Sequence, residues 1–117
     1  EMFIIHHKDT YVRPHKHMNK SESLHILEGT AVLILFDDNG VITQKVMLGD
    51  YQSGYPFYYR LNTSTYHMLI ITSETFAFVE AATGPFNKSD TIFPSWAPEE
   101  RETERVQQFM NTVRGDV

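Results

Sequence analysis

His15 and His17 are separated by Lys16 alone, and Glu22 follows after four further residues. In an extended strand, residues two apart point to the same face. The two imidazoles are therefore expected side by side, with Lys16 turned to solvent. Glu22 returns after a short turn at the start of the next strand, and His67, opening the segment Tyr66–Thr72, can supply a third imidazole. Three neutral imidazole nitrogens and one carboxylate suit one divalent transition metal: Zn, Fe(II), Mn, Ni or Co. One or two positions would stay open for water or substrate. A His-x-His pair alone is a weak signal, more often an incidental surface feature than a ligand pair.

Composition narrows the chemistry. The 117 residues hold six His and no Cys, which excludes disulfides, thiolate metal sites, iron–sulfur clusters and cysteine nucleophiles. Fifteen acids against ten bases give a net charge of −5, which argues against a phosphate-tracking nucleic-acid surface. Ala31–Phe36, the longest apolar run, is far shorter than a membrane span, so no membrane partner is expected and a cytoplasmic location is the working expectation. The chain opens on Glu1 rather than Met, which raises the expectation of a segment upstream. At 41% hydrophobic and 13% aromatic, the chain has the content for one packed core.

The elements that must position these groups read as short strands between turns. Phe3–His6, Tyr11–His17, Leu24–Leu27, Ala31–Phe36, Val41–Leu48, Phe57–Leu61, Tyr66–Thr72 and Phe76–Ala82 are rich in β-branched, aromatic and other apolar residues. Asn39-Gly40 between two apolar runs marks a hairpin, since both residues tolerate positive φ. Asn62–Thr65, Gly84-Pro85 and Asn87–Asp90 are turn or loop material. From Pro98 onward the text turns helical, with Val106, Phe109, Met110 and Val113 at helical spacing and Gly115 as a stop. The pattern predicts an all-β sandwich or barrel over residues 1–97. A helical tail over 98–117 would pack on the barrel or on a partner subunit, within a single domain overall.

His-x-His, four residues, Glu, six residues and Gly29 match the first motif of the cupin superfamily without a gap. The second motif is looser. His67 stands at its histidine, but Asn62 and Ser64 occupy the usual Pro and Gly positions and Ile71 replaces the usual Asn. Tyr11–His17, Phe36–Gly40, Gly84-Pro85-Phe86 and Trp96–Glu100 together resemble the WbuC-type cupin-fold metalloproteins over roughly residues 10 to 100. That resemblance implies a double-stranded β-helix (a jelly-roll barrel) with a mononuclear metal in its mouth, held by His15, His17, Glu22 and His67. It also implies a setting in bacterial surface-polysaccharide (O-antigen) biosynthesis, and small cupins commonly form homodimers.

Further candidates lie beside these four residues. Arg13 lies on the His15 side of its strand and is a candidate cation at the pocket edge. Tyr59, Arg60 and Tyr66 cluster near His67 in the sequence, and Arg60 could clamp a carboxylate or phosphate as readily as form a surface ion pair. Arg13, Arg60 and Tyr66 are thus the substrate-binding candidates, and Tyr59 and Glu80 the catalytic ones. Phe76, Phe78 and Glu80 share a face. Turned inward, Glu80 would be a buried carboxylate fit for acid–base work; the outward, solvated orientation is slightly favoured. His6, His7 and His25 are assigned to structure, and Trp96 to a barrel end or a subunit interface.

The function expected from the resemblance is a metal-dependent isomerase or epimerase acting on a sugar or nucleotide-sugar-like ligand. The same ligand set holding Fe(II) could instead serve a small dioxygenase. A non-catalytic, metal-stabilised sugar binder or regulator is the third reading.

Overall fold

The computed structural model describes residues 1–18, 20–61, 64–83 and 90–115. The expected turn residues Asn62 and Thr63, and the segment 84–89 with Gly84-Pro85-Phe86, lie outside the described residues. The strands are β1 (Met2–His7), β2 (Lys16–His17), β3 (Glu22–Glu28), β4 (Thr30–Phe36), β5 (Ile42–Gly49), β6 (Tyr58–Leu61), β7 (Tyr66–Ile71), β8 (Thr75–Ala82) and β9 (Thr91–Ile92). A single helix, α1 (Thr103–Gly115), follows them. They form a four-stranded sheet ordered β1-β8-β3-β6, a three-stranded sheet ordered β5-β4-β7 and the small pair β2-β9. All pairings are antiparallel.

Alternation within the strands divides the apolar residues between two clusters. Leu24, Ile26, Leu33, Leu35, Leu69, Ile71, Phe76 and Phe78 fill the space between the two larger sheets. The opposite faces of β4 and β7 supply Val32, Ile34, Phe36, Met68 and Ile70 to a second cluster. Both faces of β4 are therefore buried, which is why it reads as an uninterrupted apolar run. The stripe Val106, Phe109, Met110 and Val113 of α1 covers that second cluster, together with Tyr11 and Trp96. Each fully buried large side chain of this kind contributes roughly 1.5–3 kcal/mol.

Two turns set the register. Asp37 accepts from the amides of Asn39 and Val41, and Gly40 takes φ +88°, closing the expected β4–β5 hairpin. Trp96 packs against that turn, donates from Nε1 to the Asp38 carbonyl at 2.9 Å, and meets the rings of Phe36 and Phe109 at a tilt. Gly29, between β3 and β4, sits at φ +90°, and a Cβ there would run into the Thr75 carbonyl.

Several expected boundaries move. Only Lys16–His17 of the segment Tyr11–His17 forms a strand, because buried Pro14 interrupts it and lacks an amide to share. The helix begins at Thr103 rather than Pro98. Glu99–Thr103 first make a tight turn in which the Glu102 amide donates to the Glu99 carbonyl and the Glu102 carboxylate accepts from the Glu99 amide. The first helical bond runs from the Val106 amide to the Glu102 carbonyl.

Candidate functional site

His15 and His67 lie directly opposite each other and exchange both backbone hydrogen bonds, at 3.1 and 3.0 Å. This bridge attaches the His15 segment to the free edge of β7. It places two imidazoles on one face, with ring centroids 4.5 Å apart. His17, two residues on, brings its ring to 5.1 Å from that of His15. Glu22 reaches in from the first position of β3, in the other large sheet. Its carboxylate oxygens stand 3.0 Å from His67 Nε2 and 3.2 Å from His17 Nε2. The four residues read as ligands from the sequence are thus brought together between the sheets. Ser64, at the position of the motif's usual glycine, donates to the His17 carbonyl at 2.8 Å and ties the approach to His67 onto β2.

The outer nitrogens fix the rings. His15 Nδ1 lies 2.8 Å from the Arg13 carbonyl and His67 Nδ1 lies 2.9 Å from the Thr65 carbonyl. A carbonyl only accepts, so both Nδ1 atoms carry hydrogen, and in the neutral rings both Nε2 atoms present lone pairs. His17 Nδ1 meets the Thr91 hydroxyl at 3.1 Å. Outer nitrogens held by hydrogen bonds leave the Nε2 atoms facing inward, as in histidines that bind metals.

The inner atoms then face each other as acceptors. Glu22 Oε1 is buried without a hydrogen-bond partner, although the lone-pair nitrogen of neutral His67 is 3.0 Å away. Either a proton on His67 or a cation must relieve this contact. Burial opposes charge on His67, but the hydrogen bond to Glu22, the Glu22 charge and the Thr65 carbonyl together raise its pKa. Burial likewise opposes a charged Glu22, yet His67 holds its carboxyl below the usual range. Burial, reinforced by the charge of His67, pushes His15 down to about 4. Without a metal, the raised His67 and the lowered Glu22 favour a carboxylate–imidazolium pair, and His15 is held towards its neutral form.

The donor set fits a metal ion chemically. Adjacent ligands at bond lengths near 2.1 Å stand about 3.0–3.4 Å apart, the same spacing as a hydrogen bond. The Glu22 contacts satisfy both. As the side chains stand, no group of three or more His, Asp or Glu among the described residues is arranged to hold a metal ion.

Glu22 and His67 line an inner chamber of about 160 Å³. An outer chamber of about 330 Å³ includes His17, Arg13, Thr91 and Phe93. His6, Val12, His15 and Glu80 line both. Glu80 thus points inward with Phe76 and Phe78, against the outward orientation favoured from the sequence. Burial first, and then the charge of Glu22, raise its pKa. His6 also faces inward, its pKa lowered by burial and by neighbouring His7.

The remaining candidates scatter. Tyr59 is half-buried against the inner core and lines neither chamber. Arg60 is exposed and donates to the Ser21 hydroxyl at 3.1 Å, in a separate recess behind Glu22. Tyr66 is buried on the opposite face of β7 from His67, under Lys16 and Trp96. His25 is exposed beside Phe57 and Tyr58.

A domain family of unknown function, DUF6016, matches residues 1–48, a stretch holding His15, His17 and Glu22 but not His67. No curated protein matches the sequence. Protein SO0799 of Shewanella oneidensis superposes with a TM-score of 0.66 at 14% identity, covering 96% of this chain and 70% of that one. A 3,4-ketoisomerase from Helicobacter canadensis gives 0.59 at 13% identity, over 95% and 75% of the two chains. The capsular polysaccharide assembling protein CapF of Staphylococcus aureus gives 0.54 at 14% identity, over 79% of this chain but 24% of its own. The fold is a cupin-type jelly roll. At these identities the likeness establishes the architecture alone. Among the described residues, no helix is long and apolar enough to cross a membrane.

Proposed function

We propose that the chain is a metal-dependent cupin that isomerises or epimerises a sugar or nucleotide-sugar-like substrate, within bacterial surface-polysaccharide biosynthesis. The observation that carries the reading is the inward set of Nε2 atoms around a buried carboxylate, with outer nitrogens anchored, at the floor of a chamber large enough for a monosaccharide. Support for the substrate class comes from the WbuC-type motifs. The similar folds of a 3,4-ketoisomerase and a capsular polysaccharide assembling protein point the same way. A homodimer, which rests on the resemblance, and a cytoplasmic location, which rests on the short apolar runs, belong to the same reading.

His15, His17, Glu22 and His67 would hold the ion, and the ion would supply Lewis-acid polarisation of a substrate carbonyl or hydroxyl. The protein's own part is the proton. Glu80 lines both chambers, and its raised pKa suits a carboxyl that takes a proton from a carbon beside a carbonyl and returns it to a neighbouring atom. Leu24, Leu69 and Phe78 wall the inner chamber and limit water there.

The test is a panel of nucleotide sugars incubated with metal-loaded protein in D2O and followed by NMR. Deuterium incorporation at a ring carbon, abolished by Glu80→Gln, supports the reading. Substrate-dependent oxygen uptake without exchange would replace it with the dioxygenase. Binding with neither would leave a sugar-binding cupin.

A further inference from the structure

Arg13 lines the outer chamber and is left unused by the metal reading. Its Nε is buried without a hydrogen-bond partner, and no described carboxylate forms an ion pair with its guanidinium. The guanidinium carbon lies 4.4 Å from the centroid of Phe93, whose ring is 6.3 Å from that of His15. Cation–π stacking holds the planar fork in one orientation at the cavity wall, so little freedom remains to be lost on binding. A buried N–H with nothing to donate to destabilises the fold unless something accepts from it. Arg13 lines the outer chamber, so an acceptor that enters it meets the guanidinium.

We infer that Arg13, stacked on Phe93, is an oxyanion-binding subsite, and that the substrate of this cavity carries a carboxylate or phosphate group that docks there while its reacting carbon faces the histidines. The inference rests on reading the cavity as a substrate site and adds the charge class of the ligand. Arg13 is the permanent cation in the outer lining, where Glu80 and Glu100 are the acids. Those acids repel an anion placed elsewhere in the chamber and so direct it to the guanidinium. Phe93, 48% exposed, leaves part of its ring free for the apolar face of a sugar. The Arg13 carbonyl orients His15, and a side-chain substitution leaves that carbonyl in place.

The experiment is NMR titration of the Arg13 Nε–H resonance in the full chain, with and without added metal. Inorganic phosphate, glucuronate and glucose 6-phosphate are the probes, and neutral glucose is the control. The inference expects saturable shifts with an oxyanion and affinity at least tenfold weaker for glucose. By ligand-observed binding, Arg13→Gln should weaken oxyanion affinity ten- to a hundredfold and Arg13→Lys less, because lysine keeps charge but not the fork. A preference for glucuronate identifies a carboxylate, and a preference for the two phosphates identifies a phosphoryl group. The inference is overturned if no oxyanion moves the Nε–H signal at tens of millimolar, if glucose binds as well, or if Arg13→Gln binds undiminished. Metal content, measured alongside, reports separately on the metal reading. An Arg13-dependent shift in protein that takes up no metal leaves the subsite standing while the metal fails.

Discussion

At the residue scale, the protonation of His67 and the neutrality of His15 set opposite pH responses. His67 has a raised pKa, so its pairing with Glu22 stabilises the metal-free fold fully below the unfolded value near 6.5, and that contribution is lost as pH climbs through the folded pKa. His15 runs the other way. Its folded pKa of about 4 lies below the unfolded 6.5, so unfolding takes up a proton between those values and stability falls as pH drops. The full shift corresponds to roughly 3 kcal/mol. Chemical denaturation of His15→Gln against the wild type should show the acid-side loss between pH 6.5 and 4 reduced in the variant. Metal binding must expel the His67 proton, so affinity should rise up to tenfold per pH unit until His67 is neutral. A competition titration across pH 5–8 checks this. Glu22→Gln removes the one carboxylate among the ligands and should weaken metal affinity at least tenfold at neutral pH.

At the element scale, the β3–β4 connection holds Glu22 in line. Gly29→Ala combines a left-handed backbone with contact against the Thr75 carbonyl and should cost about 2–3 kcal/mol, read from the denaturation midpoint. Strand parity carried most of the site. The period of two placed His15 and His17 together, and the apolar run of β4 announced a strand covered on both sides. Parity also put Phe76, Phe78 and Glu80 on one face, but which face was inward depended on the pairing of β8 with both β1 and β3. His6 was illegible for a related reason. In β1, Ile4 turns inward while Phe3 and Ile5 are exposed, so both faces are apolar and the adjacent His6-His7 can be read in either phase. Strand β9, two residues long, was too short to leave any pattern, yet its Thr91 anchors His17.

At the scale of the whole molecule, the two large sheets meet where the histidines and Glu22 converge, so an ion there would join elements far apart in sequence. Ligand that binds only the folded chain adds stability by mass action, about 4 kcal/mol at a thousandfold excess over Kd. Thermal unfolding should therefore shift upward with added Zn, Mn or Co and return with a chelator. His15→Ala with His17→Ala should lose that response. The most direct measurement is metal content by mass spectrometry after exposure to an equimolar metal panel at neutral pH and gel filtration. Close to one transition-metal ion per chain is expected in the wild type and almost none in the double variant. Equal metal content in the two proteins, or none in the wild type, would contradict the metal site.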